Sequence, residues 1–185
     1  YDPLKLDYLT ELQSVKAANP DVVVHAGYQD DAQIVFKQAG QVGLDTAQWI
    51  TSEGVKAPKT LEDAQAAAFM LNNVIGTNPV APEGLALAAT FAQQYQARFG
   101  IAAGTYNDFS YDAANLVLKA MQNVGATNTA QIAAEVLRIA NNYAGVSGSI
   151  TFNQYGDRQT VTFEVWKVVK IGTTYSYEQV KLITP

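Results

Sequence analysis

Apolar residues change period twice along this chain, and the changes divide it. Tyr8, Leu12 and Val15 recur at helical spacing, with Asp7 and Glu11 on the polar side, which predicts a first helix led in by Asp2-Pro3. The turn dipeptide Asn19-Pro20 then opens an unbroken β-branched run, Val22 to Val24, that ends at Gly27. Such a run predicts a strand covered on both faces, as in parallel sheets. Ala32, Val35, Phe36 and Ala39 return to helical spacing, started by the carboxylates Asp30 and Asp31 and stopped by Gly40 and Gly43. A second short strand is predicted around Gln48 to Ile50, which completes a β-α-β unit. Thr60, followed three residues later by Asp63, resembles a capping box on a short helix, and Ala66 to Leu71 is predicted as a third strand because turn residues flank it.

From Gly76 to Gly84 the sequence is GTNPVAPEG, the densest Pro/Gly/Asn stretch, and it predicts a linker or crossover. Three helices follow with no strand between them: Pro82 to Phe99, Asn107 or Asp108 to Asn123, and Ala130 to Asn141 behind the cap Thr127-Asn128-Thr129. Their apolar stripes, Leu85, Ala88, Ala92 and Phe99 on one and Leu116 and Ala120 on the next, need a surface to cover, and the expectation is a sheet outside this sequence. Alternation of period two then marks Ser149 to Phe152, Thr160 to Val169 and Tyr175 to Leu182 as antiparallel strands.

Composition narrows the function. With 48% apolar and 16% charged residues the 185-residue chain can build a core, and its net charge of -5 without any Lys/Arg cluster excludes nucleic acid and anionic membrane surfaces as partners. There is no cysteine, hence no thiolate nucleophile and no zinc ribbon. No apolar run reaches the roughly 18 residues of a membrane span. The start, Tyr1-Asp2-Pro3, has neither an initiator Met nor a signal peptide, so the chain is expected to be part of something longer.

In open α/β sheets ligands collect beyond the carboxyl ends of strands, here Gly27-Tyr28 and Thr51-Ser52-Glu53-Gly54. Tyr28 and Glu53 are the first candidates for ligand contact, although Glu53 could equally be a solvated loop carboxylate. Asp30 and Asp31 are read as helix caps rather than metal ligands, His25 as a satisfied core residue, and Trp49 and Trp166 as core or cleft-rim residues. A single histidine on a strand, no cysteine, no Gly-x-Gly-x-x-Gly and no Lys-containing phosphate loop leave enzyme chemistry, metal and cofactor unsupported. The adjacent acids Asp30-Asp31 and Glu62-Asp63 lie on helix starts, not opposed across a cleft.

Taken in order, Asn19-Pro20-Asp21-Val22-Val23 to Gly27-Tyr28, Lys37-Gln38-Ala39 with Gly43-Leu44, Ser52-Glu53-Gly54, Tyr111-Asp112-Ala113-Ala114, and Gly145-Val146-Ser147-Gly148 through Phe152 to Gly156-Asp157 resemble the C-terminal half of type I periplasmic binding proteins, the branched-chain amino-acid-binding group of ABC transporters. The resemblance implies an α/β fold of two Rossmann-like lobes joined by three crossovers, of which only the C-terminal part is here. It implies a second-lobe portion over 1–75, a hinge crossover over 76–84, first-lobe helices over 85–152, and a return crossover with final second-lobe strands over 153–185. It further implies a substrate-binding protein of an importer with no enzyme activity and no cofactor. Such a protein holds an amino acid or similar small polar ligand in the cleft between its lobes and hands it to an ABC permease. The location implied is extracytoplasmic, in the periplasm or at the cell surface, where a lipid anchor is one arrangement. Glu53 then matches the carboxylate that holds a ligand ammonium, Tyr28 an aromatic of the same lobe, and Tyr106 one contributed near the hinge. A sensor domain on the same scaffold is the alternative, and a fragment lacking its first-lobe sheet is expected to self-associate through the uncovered helices.

Overall fold

A computed structural model of the chain describes residue 2, residues 5–125 and residues 128–184. The chain forms two compact units, Tyr1–Asn78 with Glu164–Leu182 and Pro79–Phe163 with Ile183–Pro185, so it passes from one to the other three times.

In the first unit, α1 (Leu9–Ala17), β1 (Val22–His25), α2 (Gln29–Gln41), β2 (Gln48–Thr51), α3 (Ala64–Asn73) and β3 (Val74–Val80) follow in order. With two later strands they make a five-stranded sheet, β1-β2-β3-β6-β7, where β6 is Thr162–Ile171 and β7 is Thr174–Ile183. β1, β2 and β3 are parallel, in the register Val24 beside Ile50 beside Ile75. β6 and β7 are joined through Gly172-Thr173, a two-residue connection that only antiparallel strands allow.

One face of this sheet carries the core. Trp49, Val74, Trp166 and Val168 point into it and meet Leu12 of α1, Val35 and Phe36 of α2 and Phe69 and Met70 of α3. Phe36 and Phe69 each stand near Trp49 edge-to-face, at 5.7 and 5.5 Å between ring centroids, a favoured aromatic geometry. Both tryptophans are therefore core residues, not rim. The opposite face corrects the expectation for β1: Val22 and Val24 are 50% and 76% exposed, and Val23 between them is half-buried. The run is apolar at every position, but the helices α1, α2 and α3 pack on one face only. Val24, Ile50 and Ile75 form an exposed apolar row across three strands.

A second correction concerns Ala66 to Leu71, which is helix, not strand. Asp63 supplies the start: its carboxylate accepts from the amides of Gln65 and Ala66, at 2.8 and 3.1 Å, and three consecutive alanines favour the helix that follows. The third strand comes immediately afterwards, so Gly76 to Val80 of the expected linker is β3 itself. The capping box expected at Thr60 and Asp63 does not form either. Thr60 is buried in a short 3-10 turn, Pro58–Leu61, with its hydroxyl on the Val55 carbonyl at 2.8 Å, and Asp63 is the cap rather than its partner.

The second unit holds α4 (Ala86–Phe99), α5 (Asn107–Val124), α6 (Thr129–Ile139) and a small antiparallel pair, β4 (Tyr143–Gly145) and β5 (Gly148–Ile150). α4 begins four residues later than the Pro82 start predicted for it, and it buries no residue completely. Phe91 of α4 meets Tyr111 of α5 at 5.2 Å between centroids. Leu116 and Ala120 of α5 are buried rather than left for an outside sheet, because Leu116 packs with Ala140 and Ile150 inside the unit. Asn128 caps α6 by accepting from the amides of Ala130 and Gln131, both at 3.1 Å. The Thr127 part of the predicted cap, and Pro3 ahead of α1, lie outside the described residues. Among the described residues no helix is long and apolar enough to cross a membrane.

Candidate functional site

At the carboxyl ends of β1 and β2 two turns meet. After His25 the chain runs through Ala26 and Gly27 to Tyr28, which stands in extended conformation at the start of α2. After Thr51 it runs through Ser52 into a short 3-10 turn, Glu53–Val55. The Ser52 hydroxyl donates to the Gly27 carbonyl at 3.2 Å, and the Ser52 amide to the His25 carbonyl at 3.3 Å. Gly54 makes the approach possible, since a Cβ there would lie 2.6 Å from the Gly27 oxygen and 2.9 Å from the Tyr28 ring. Tyr28 and the Glu53-Gly54 turn are thus neighbours, as their strand-end positions predicted, and Tyr28 presents 71% of its surface to solvent.

The charges around these turns are mostly spoken for. Lys59 pairs with Asp30 at 2.6 Å, Lys37 with Asp63 at 3.0 Å, and Lys56 with the buried Glu164, which also accepts from Asn78 at 3.0 Å. Asp31 is buried, and its Oδ1 accepts from the Tyr28 amide at 2.9 Å, so it reaches back over the helix start as a cap. Glu53 differs: it is half-buried, and among the described residues its carboxylate has no hydrogen-bond or ion-pair partner. A carboxylate partly removed from water without a counter-charge is unfavourable unless something cationic completes it. Among the described residues no cluster of His, Cys, Asp and Glu could hold a metal ion.

Beneath the turns lies His25, buried as expected and in contact with the Thr51 hydroxyl at 3.2 Å. Burial holds its imidazole below the ordinary histidine range, while Asp31 pulls the other way. Nothing in the spacing of His25 and Asp31 shows that they meet; the signal lies in the turn between them.

Tyr106 belongs to the second unit. It precedes α5 with φ 68°, a left-handed conformation uncommon for an aromatic residue, and its ring meets Phe109 edge-to-face at 6.0 Å. The same unit contains a polar network that the sequence did not reveal. The buried Asp112 accepts from the amides of Val146 and Ser147 and from the Ser147 hydroxyl, at 2.9, 2.8 and 2.5 Å. Arg158 donates to that hydroxyl and to the carbonyls of Ser147 and Ser149, at 2.9, 2.8 and 3.1 Å. A polar hollow of about 370 Å³ adjoins it, lined by Ser147, Thr151, Arg158 and Gln159 among others. With the Arg158 guanidinium engaged by the loop's own oxygens, this hollow reads as packing around the β4–β5 turn.

A family model described as periplasmic binding protein matches residues 1–172. The leucine-, isoleucine-, valine-, threonine- and alanine-binding protein of Pseudomonas aeruginosa is 27% identical over 168 residues, 90% of this chain and 43% of that protein. Among solved structures, the leucine-binding protein LivK of Thermotoga maritima superposes with a TM-score of 0.76 at 23% identity, over 100% of this chain and 51% of that one. A solute-binding protein of an ABC transporter from R. palustris, solved with benzoate, gives 0.67 at 14% identity, over 97% and 47%. The fold is that of type I periplasmic binding proteins, and this chain spans about half the length of the relatives it matches.

Proposed function

Because the chain belongs to the periplasmic binding protein family, we propose that it supplies one wall of the ligand site in an extracytoplasmic substrate-binding protein of an ABC importer, and that the ligand is an amino acid. The observation that carries this reading is Glu53, a half-buried carboxylate without a protein partner beside an exposed tyrosine at the carboxyl ends of two parallel strands. An α-ammonium group supplies the missing cation, and the Tyr28 ring offers an aromatic face next to it. The named ligands of the Pseudomonas aeruginosa relative all carry such a group, whereas the benzoate held by the R. palustris protein does not. An unpaired carboxylate suits the first kind of ligand and repels the second.

No reaction is part of this proposal. The one histidine is buried under the turns, and binding followed by delivery to a membrane permease accounts for the site. Tyr106 enters the proposal through the family resemblance alone, as a second aromatic contact. The test is calorimetry on the full-length protein with L-leucine as probe. Replacing Glu53 by Gln should weaken binding by about 2 to 4 kcal/mol, since the ligand cation loses its counter-charge in a partly dry site. Unchanged affinity would remove Glu53 from the site.

A further inference from the structure

The turn that carries Tyr28 rests on a buried proton-binding pair. Thr51 donates its one hydroxyl proton to the His25 carbonyl at 3.0 Å, so toward the ring its oxygen can only accept. His25 Nδ1, 3.2 Å from that oxygen, therefore carries a proton whether the ring is neutral or charged. Titration is left to Nε2, which faces Asp31 Oδ2 at 3.7 Å. In the neutral ring a lone pair looks at a carboxylate; in the charged ring an N–H does. The other Asp31 oxygen holds the Tyr28 amide at 2.9 Å. Gly27 leans directly on the pair, because a Cβ there would stand 2.5 to 2.7 Å from His25 Cε1, His25 Nε2 and Asp31 Oδ2.

Among the described residues Asp31 is the carboxylate that faces the imidazole, at 3.7 Å from Nε2. From α2 come Asp31 and the Phe36 ring; from β2 come Thr51 and Trp49, and β2 brings no titratable side chain. Tyr8 and Glu11, on the α1 side, are further titratable groups that border the same apolar crevice as His25.

We infer that His25 and Asp31 together position the ligand turn and couple ligand affinity to pH. A proton taken from solvent by Nε2 converts the open 3.7 Å contact into a charge-assisted hydrogen bond, which draws Oδ2 toward the ring. The carboxylate rotates, and Oδ1 carries the Tyr28 amide with it. Tyr28 then leaves the position it holds when the ring is neutral, and affinity falls. Because burial disfavours the charged ring, the change comes on the acid side of the ordinary histidine range. The inference rests on the assignment of Tyr28 to the ligand site.

The experiment has two arms on the full-length protein. Without ligand, the Tyr28 amide resonance and the His25 ring resonances are followed by NMR from about pH 7.5 to about pH 5, the histidine range. The two should move together with one midpoint; a Tyr28 amide indifferent to the ring's titration overturns the inference, and this arm needs no variant. With L-leucine as probe, the wild-type dissociation constant should rise about fivefold or more over the same range, the lower end of ordinary coupling. His25→Gln should lose that dependence, and a variant with the wild-type pH profile overturns the inference. Leucine affinity untouched by Glu53→Gln would sink the site assignment alone, and the ligand-free arm would still support or overturn the pair.

Discussion

The two units of this chain are held together by different means. The first has a continuous core of buried aromatic and aliphatic side chains from three helices and the strands β2, β3 and β6, centred on Phe36, Trp49, Phe69 and Trp166. The second has a smaller apolar cluster, in which, among the described residues, Leu116, Ala140 and Ile150 are buried together with Ile139, Tyr143 and Phe152 partly covered around them, and a polar lock of Asp112, Ser147 and Arg158 at its β-turn. Apolar burial is non-directional and large, whereas hydrogen bonds contribute little net but are expensive to leave half made. The first unit should therefore be sensitive to lost volume, and the second to lost partners.

The largest expected effect tests the first half of that statement. Trp49→Ala removes three aromatic contacts and the bond from its indole N–H to the Leu44 carbonyl at 3.1 Å, and should destabilise the first unit by about 3 to 5 kcal/mol. Leu116→Ala should fall near 2 kcal/mol, the low end for such truncations, because half-covered neighbours can settle into the gap. Hydrogen exchange resolved by peptide in the full-length protein reads each unit separately. A larger loss of protection from Leu116→Ala than from Trp49→Ala would reverse the comparison.

The second half turns on two buried aspartates. Asp112→Asn replaces an acceptor of three hydrogen bonds with an amide that must turn its NH₂ toward one or more donors, and it takes the nearby negative charge from Arg158, whose guanidinium burial already disfavours. A loss of about 2 to 3 kcal/mol is expected, confined to peptides of the second unit. Asp31→Asn should destabilise its own unit less, because an apolar core holds α2 in place whether or not the cap is perfect. Equal losses would mean that the polar lock adds nothing particular to the second unit.

The same contrast explains what could be read from the sequence. Elements built on apolar periodicity were legible: α1, α2, α5, α6, β2 and the β6–β7 hairpin lie where the spacing puts them. Ala66 to Leu71 failed because a run of alanines and large apolar residues has no period of its own, and the flanking turn residues on which the strand was predicted suit a helix as well, since Asp63 caps it. The Val22 to Val24 run failed in another way. Composition shows that both faces are apolar, but only packing shows which face is covered. At the site, Tyr28 and Glu53 could be named as candidates, and their turns do meet, because the strand-end rule acts along the chain. His25 with Asp31, and Asp112 with Arg158, join residues 6 and 46 positions apart through turns whose path no local pattern encodes.

The smallest effect asks whether the first unit depends on single hydrogen bonds at all. Tyr177, on β7, donates to the carbonyls of Val55 and Ala57 at 3.2 and 3.0 Å, and its ring stands edge-to-face with Trp166 at 5.0 Å. Burial pushes its phenol up to about 12. Because the folded value lies above the unfolded one of about 10, the contribution of the neutral phenol is fully present below about pH 10 and is lost as pH rises toward 12. Ultraviolet titration of the full-length protein should lose, on Tyr177→Phe, one tyrosine that ionises toward the upper end of that interval. The substitution keeps the ring and its place on Trp166 while leaving two carbonyls that water or their second lone pairs can still serve. It should destabilise the first unit by only about 1 kcal/mol. A loss approaching that of Trp49→Ala would show that this unit, like the second, is held by particular polar contacts, and the distinction between the two would fail.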